Sequence, residues 1–449
     1  MGLKYIETVK SIILLLLVAL SMVLTFSIWT YTPSYDTIEK LPPADVAIAE
    51  KKKFNELIKP YKTVFNFDDV LRGTTDSDTI DEIMDEITEW EVSDLKPVNS
   101  NFSAENLRTL LRKQNRFTLF FHGEVPLTVY DNVLNINEPV PIVPVISFDR
   151  IIVDWNPAGI AMDIFFVSRA NKTLYSAKAK PEDYRNFQRT VLTQARELAE
   201  YTEVNPEGST LIVVPKNPVE IDRYTFIEGE TPPSKFRDAL FSDPNAVRSS
   251  QVATNKEELV DNHALMKIDK DKLKFEYAYP TARLSELAIP SELLADTINF
   301  VNEHGGWTDE FRYTYMNPKS RTVNFRLFVQ GLPVYTDSSS TAEIIQKWGN
   351  KQIYKYERPY FLLNWSLPHE KVAEFLPSGI DIAERLIESD MVDFDTIDEI
   401  APGYFMKHDT EKENFIMEPA WFYLVKRKNS ESWHRFSPEN LGGEPIGLE

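Results

Sequence analysis

The sequence predicts an α+β chain. It opens with an N-terminal single transmembrane helix, followed by an extracytoplasmic multidomain region of largely antiparallel sheets with helices packed on one face. Three observations lead there: one uncharged apolar run of bilayer length, several hairpin-like segments with period-two alternation, and amphipathic stretches carrying a single apolar stripe. At 449 residues the chain is long enough for about three domains. Hydrophobic residues make up 43 % and aromatics 12 %, enough apolar surface to exclude a disordered chain.

The apolar run is Ile12 to Tyr31, which as a helix would cover about 30 Å, the thickness of a bilayer's hydrocarbon core. It ends in Phe26, Trp29 and Tyr31, aromatics suited to a membrane interface, and lacks the small-residue cleavage pattern of a signal peptide. Lys4 and Lys10 precede it, whereas Asp36, Glu39 and Asp45 follow, so the expected topology is single-pass in the cell membrane with a cytoplasmic N-terminus. The expected layout is a cytoplasmic stub 1–10, an anchor 11–31 and a proline-bearing linker 32–43. Within the anchor, Ser21 and Thr25 share a helix face with Leu14, Val18 and Ile28. That face is the candidate contact with another membrane helix, the competing role for the two hydroxyls being bonds to their own helix's carbonyls.

Beyond the linker the sequence divides into an N-terminal α+β domain 44–230, a small middle domain 231–290, a C-terminal α+β domain 291–435 and a tail 436–449. Ile80, Ile83, Met84, Ile87 and Trp90 recur at helical spacing between carboxylates, which reads as an amphipathic helix with a solvated acidic face. A helix capped by Ser103 points Leu107, Leu110 and Leu111 inward, and strands follow at 116–121, 144–155, 160–168 and 174–178. A long helix opens at Pro181 and buries Tyr184, Phe187, Val191, Ala195 and Leu198, before a strand at 210–214. Thr231-Pro232-Pro233 marks the boundary to the middle segment, which carries a helix near 234–241 and strands near 264–268 and 272–279. The last segment begins with a helix from Ser291, then a hairpin 311–316 and 322–329, further strands at 352–365, 414–418 and 421–426, and a helix near 379–389.

The composition removes most chemistries. Lys and Arg total 49 against 69 Asp and Glu, a formal net charge of −20 that repels nucleic acid. With no cysteine there is no thiolate nucleophile, disulfide or thiolate-bound metal. His369-Glu370 begins like a helical zinc motif, but Ala373 stands where the second histidine belongs. Asp269-Lys270-Asp271 lacks the glycine and distant glutamate of a calcium loop. No phosphate-binding glycine loop or serine elbow occurs, so neither cofactor nor catalytic residue is expected. His122-Gly123-Glu124, after the apolar strand Phe117–Phe121, is the one titratable pair that could act as base and orienter. It reads more readily as a surface turn with an ordinary histidine.

Ser27-Ile28-Trp29-Thr30-Tyr31-Thr32-Pro33-Ser34-Tyr35, then Lys59-Pro60-Tyr61, and finally Glu418-Pro419-Ala420-Trp421 leading into Phe422–Lys426, resemble the YycH (WalH) family over the length of the chain. The resemblance implies a non-enzymatic, membrane-anchored accessory protein of the YycG/WalK sensor histidine kinase in low-G+C Gram-positive bacteria. It also implies a second partner, YycI, contact through membrane helices, and restraint of a kinase that governs cell-wall homeostasis. Two other readings compete: an anchored extracytoplasmic ligand-binding scaffold, and a cell-wall glycan hydrolase using two carboxylates.

Overall fold

The computed structural model describes residues 14–22, 24–25, 47–99, 104–131, 133–136, 146–155, 162–204, 211–282, 287–337, 339–350, 352–389, 392–427 and 430–437. The chain separates into two compact units, 1–43 and 44–449.

In the first unit, residues 14–22 and 24–25 are helical, and the expected membrane-spanning helix is not found. Among the described residues no helix is long and apolar enough to cross a membrane. Twenty uncharged residues meet the length requirement as a sequence, and the described helical residues within them are 14–22 and 24–25. The single-pass topology, the membrane localisation and the anchored partnership expected from the sequence therefore have no such helix behind them among the described residues. The rest of the apolar run, the stub 1–10 and the linker 32–43 lie outside the described residues.

The second unit holds two sheets. The first is built from β1 (Lys62–Phe67), β2 (Val70–Thr74), β3 (Glu91–Asn99), β4 (Arg116–Pro126), β5 (Asn135–Ile136), β6 (Ser147–Asp154), β7 (Met162–Ser168), β8 (Thr173–Lys180), β9 (Ala199–Val204) and β10 (Ile212–Pro215). Their order is β10-β9-β2-β1-β4-β6-β7-β8-β3-β5, antiparallel throughout except where β5 joins β3.

The second sheet contains β11 (Val219–Glu230), β12 (Arg248–Ala253), β13 (Lys256–Val260), β14 (Leu265–Asp269), β15 (Lys274–Ala278), β16 (Phe311–Asn317), β17 (Thr322–Val329) and β18 (Leu332–Tyr335). It continues with β19 (Glu343–Trp348), β20 (Ile353–Pro359), β21 (Phe361–Ser366), β22 (Val372–Leu376), β23 (Ile397–Asp409), β24 (Asn414–Arg427) and β25 (Ser430–Arg435). The order is β12-β13-β14-β15-β20-β19-β17-β18-β23-β24-β11-β21, with β16 on β17, β22 on β11 and β25 on β24. Here β18 and β23 form the parallel pair.

An α+β fold is therefore present, with one change. Every residue of β1 is buried, so both parities of the strand need cover. One face packs Phe65, Phe117, Leu119, Ile151 and Val153 against Ile80, Ile83, Met84 and Ile87 of the helix Ser77–Thr88. The opposite face sets Ile152, Val167 and Leu174 against Leu107 of the helix Ala104–Arg112. Helices thus cover both faces of the first sheet rather than one. The Ser77–Thr88 helix is capped by Asp76, whose Oδ2 accepts from the Thr79 N–H at 2.9 Å, and Asp78, Glu82 and Asp85 face solvent as its pattern requires.

Four hairpins share one turn chemistry. The oxygens of Ser168, Asp269, Asn317 and Asp409 each accept a backbone N–H from three residues on. The fourth residue after each is left-handed: Lys172 at φ 53°, Leu273 at 48°, Arg321 at 55° and Glu413 at 50°. The side chain that suggested a calcium ligand, Asp269, spends its Oδ1 on the Asp271 and Lys272 N–H groups of this turn. A left-handed conformation costs a non-glycine residue about 1–2 kcal/mol. Glu413→Gly and Lys172→Gly, both at exposed positions, are therefore expected to raise stability by about 0.5–1 kcal/mol each after the entropy cost of glycine. The shift of the urea midpoint measures this, and unchanged or lower midpoints would contradict the strain argument.

Candidate functional site

The strongest concentration of charge in the fold lies where β23 of the second sheet meets β1, β4 and β6 of the first. In register, Lys62 of β1 stands opposite Phe120 of β4, and Phe120 opposite Arg150 of β6. Three neighbouring strands thus place two cations on either side of one ring, with the Lys62 Nζ 4.6 Å and the Arg150 guanidinium 4.5 Å from its centroid. Both side chains are almost wholly enclosed, Lys62 at 2 % and Arg150 at 3 % exposure. Two buried cations require counter-charge.

Asp149 of β6 lies 3.5 Å from Arg150, and the carboxylate that serves both cations comes from β23. A register shift between Ile397 and Glu399 marks an irregularity in its pairing with β24, and bulges of this kind re-aim side chains. Consecutive carboxylates here both serve the first sheet. Glu399 receives the Lys62 ammonium at 2.6 Å and the Tyr61 hydroxyl at 2.7 Å, with Arg150 at 3.8 Å. Asp398 accepts from Arg169 at 3.1 Å, and Arg169 also donates to Asp149 at 2.5 Å. Lys62 further donates to the Val213 carbonyl at 3.1 Å.

The charge state follows the geometry. Burial lowers the Lys62 pKa against the opposing pull of Glu399. Burial also drives the Tyr61 hydroxyl well above its ordinary range, and the Glu399 charge adds to it, so Tyr61 remains a donor. Burial acts to raise Asp149, but Arg169 and Arg150 beside it overcome that and hold it ionised.

His122-Gly123-Glu124 is not the surface turn that its sequence suggests; it lies within β4, at a second crossing between the sheets. A Cβ on Gly123 would come 2.8 Å from the Thr314 carbonyl oxygen of β16, so only glycine admits this approach. The neighbouring Tyr313 hydroxyl donates to the Glu124 carbonyl at 2.7 Å. The His122 ring stacks on Tyr61 at 4.0 Å and meets the Phe328 and Trp433 rings edge-on. Burial, then the charges of Arg326, Arg150, Arg312 and Lys62, hold the imidazole well below its usual pKa and therefore neutral.

The Glu124 Oε1 accepts from the Ser168 hydroxyl at 2.9 Å and from the Ala170 N–H at 3.3 Å, while Oε2 is enclosed without a partner. Burial and then the Asp149 charge push this carboxyl up to about 7. Ser168 spends its oxygen on the Asn171 turn and its proton on Glu124, so the arrangement links elements rather than activating a nucleophile.

The other sequence-derived candidates lie apart from this junction. Leu14, Val18, Ser21 and Thr25 are helical and exposed in the first unit, and the Thr25 hydroxyl donates to the Ser21 carbonyl at 2.8 Å, the own-helix bond. Ile28 lies outside the described residues. His369 and Glu370 occupy a 3-10 turn, not a helix. Among the described residues no cluster of three His, Asp or Glu is placed to hold a metal. Sequence reading missed Lys62, Asp149, Arg150, Arg169, Asp398 and Glu399. The available signal was Asp149-Arg150 in the middle of the apolar run 144–155, a pair of charges that a buried strand tolerates only when compensated.

Two outcomes follow. Glu399→Ala leaves Lys62 and Arg150 buried without their shared carboxylate and is expected to cost about 3–5 kcal/mol by urea unfolding; a loss below about 1 kcal/mol would remove the junction's structural importance. For Glu124 the folded pKa of about 7 exceeds the ordinary 4.5. Its contribution is complete below 4.5 and is lost as pH rises through 7. Glu124→Gln should therefore gain stability relative to the parent between acid and mildly alkaline pH, and a gap that stays constant or shrinks contradicts this.

The family described as YycH protein, N-terminal domain, matches residues 7–194, and YycH protein, C-terminal domain, matches residues 209–434. The two-component system WalR/WalK regulatory protein YycH of Bacillus subtilis (strain 168) is 22 % identical over 438 residues, covering 94 % of this chain and 95 % of the relative. The crystal structure of YycH from Bacillus subtilis superposes with a TM-score of 0.72 at 20 % identity, covering 87 % of this chain and all of that one. The junction therefore sits within a known fold, and the chain belongs to the YycH family.

Proposed function

We propose that this chain is a regulatory protein of a WalR/WalK-type two-component system, acting on the sensor kinase by protein contact. The observation that carries the reading is end-to-end kinship with a relative described as a WalR/WalK regulatory protein, 94 % of one chain against 95 % of the other. The chain is not an enzyme: that kinship is with a regulatory protein, and the buried groups of the junction are engaged with one another. A YycI-type accessory protein is a second partner that the resemblance implies.

A kinase with two signalling states responds to a bound partner only through a difference in affinity between them, and about 1.4 kcal/mol shifts the balance tenfold. Such a difference needs a surface held in fixed shape. The Lys62–Glu399 and Arg169–Asp398 pairs supply that by tying the first sheet to the second. Contact through a membrane helix is no part of this proposal.

The test is genetic. Deleting the gene in its host should change the output of a WalR-dependent reporter, upward if the protein restrains the kinase, and the wild-type chain should restore it. A reporter indifferent to the deletion would sink the reading.

A further inference from the structure

The turn between β7 and β8 ties one sheet to the other. Its Arg169 stands between two carboxylates, donating to Asp149 of the first sheet at 2.5 Å and to Asp398 of the second at 3.1 Å. The same turn is pinned to β4 by one side chain, the Glu124 Oε1 that accepts from the Ser168 hydroxyl and the Ala170 N–H. Ala170 is exposed, so the turn lies at the rim of the joint, where water enters once it lifts.

Five carboxylates gather around this turn: Glu124 of β4, Asp149 of β6, Asp398 and Glu399 of β23, and Glu431 of β25. Asp149 has Arg150 and Arg169, Asp398 has Arg169, Glu399 has Lys62 and Arg150, and Glu431 has Lys426 at 3.7 Å. Arg312 of β16 and Arg326 of β17 are taken by Glu310 and Glu343, and Lys172 of the turn is exposed. His122 is neutral, and Tyr61, Tyr313 and Tyr315 keep their protons. Among the described residues Glu124 alone of the five makes no ion pair, and its Oε2 is enclosed without a partner. Five carboxylates against the four cations Lys62, Arg150, Arg169 and Lys426 leave one negative charge in excess, and a proton on Glu124 removes it.

We propose that the β7–β8 turn is a proton-operated clasp between the sheets, closed while Glu124 carries its proton and opened when the proton leaves, the Arg169–Asp398 pair breaking as the turn lifts. Ionised, Glu124 would stand unpaired beside Asp149 in an enclosed space. Water reaches it when the two donors that cover it move off, and they carry Arg169 with them. Burial and the Asp149 charge hold this carboxyl up at about 7. Burial raises Glu431 as well, but Lys426 beside it pulls the other way. In the open turn Glu124 regains the ordinary 4.5, so opening grows about tenfold per pH unit as pH rises from 4.5 to 7 and levels off above. The clasp deepens the regulatory reading, and rests on it only in taking the released tie to be one that fixes the surface offered to a kinase.

The test is hydrogen exchange of the full chain from about pH 5 to about pH 8, each amide's rate divided by its unstructured rate at the same pH. Opening of the 168–173 turn should rise at least about tenfold over that range. The Asn317–Arg321 turn, of the same geometry but held by an amide that does not titrate, should stay level. Glu124→Gln removes the titration, so its turn should exchange at one level throughout. Asp398→Asn should raise exchange of the turn several-fold at every pH, because only the closed form contains the pair. A turn whose exchange is flat or falls with pH, a slope that persists in Glu124→Gln, an equal rise at Asn317–Arg321, or an Asp398→Asn turn no looser than the parent overturns the proposal. Urea midpoints near the parent's at about pH 5 check that the variants fold. If Glu124→Gln does not fold, infrared difference spectra of the parent between about pH 6 and about pH 8, where ordinary carboxyls are already ionised, read the proton instead, and no loss of a carboxylic-acid band overturns the proposal. The chain is assayed without kinase, so failure here leaves the reporter result untouched, and an indifferent reporter leaves the clasp standing.

Discussion

The fold depends on one carboxylate shared by three donors. Glu399 holds a lysine, an arginine and a tyrosine hydroxyl in an enclosed space between two sheets. Isolated in an apolar interior, either cation would cost several kcal/mol; Asp149 of the first sheet lies 3.5 Å from Arg150 but is shared with Arg169, and Lys62 takes its carboxylate from Glu399 of the second sheet. The second sheet must therefore close over the first in one register, because a shift of one residue along β23 would turn Glu399 away, strand Lys62 and leave Arg150 to Asp149 alone. A buried network of this kind contributes little net stability compared with an apolar interface, but it penalises every other docking arrangement. Specificity of assembly is the property it supplies here.

The second crossing works by a different constraint. At Gly123 the two sheets approach until backbone meets side-chain space, and at His122 an imidazole kept neutral by burial and by four nearby cations fills the gap between Tyr61, Phe328 and Trp433. A charged ring there would add a further cation to a cluster already rich in them. A neutral, flat, stackable side chain satisfies packing without disturbing the Glu399 balance. Gly403 plays a comparable part inside the second sheet, where a Cβ would stand 2.8 Å from the Pro333 carbonyl oxygen across the parallel β18–β23 pair.

The elements with one clean period were legible in the sequence: the helix Ser77–Thr88 from its isoleucines, the β16–β17 hairpin from Val323 to Val329, and the helix Gly379–Ile387 behind its Ser378 cap. Those that failed had patterns broken by the tertiary structure. β23 carries Asp398, Glu399, Pro402 and Gly403 in a strand buried nearly throughout, so it reads as a turn-rich polar stretch. The stretch 352–365 reads as one strand but divides at Tyr360 into β20 and β21, which belong to opposite flanks of the second sheet. The junction was invisible because its members come from β1, β4, β6, β23 and the turn after β7, and no local spacing joins them. The family signal did touch it: Tyr61 of the Lys59-Pro60-Tyr61 motif is the residue that bonds Glu399 and stacks on His122.

At the apolar run near the N-terminus the expectation and the described structure part: residues 14–22 and 24–25 are helical, and among the described residues no helix is long and apolar enough to cross a membrane. The charges that fix the two sheets are enclosed at β1, β6 and β23, whereas the exposed aromatics Trp365 and Phe375 lie on β21 and β22 beyond β11. β11 lies directly beside β24, and β24 beside β23, so those aromatics belong to the same hydrogen-bonded sheet that Glu399 ties to the first.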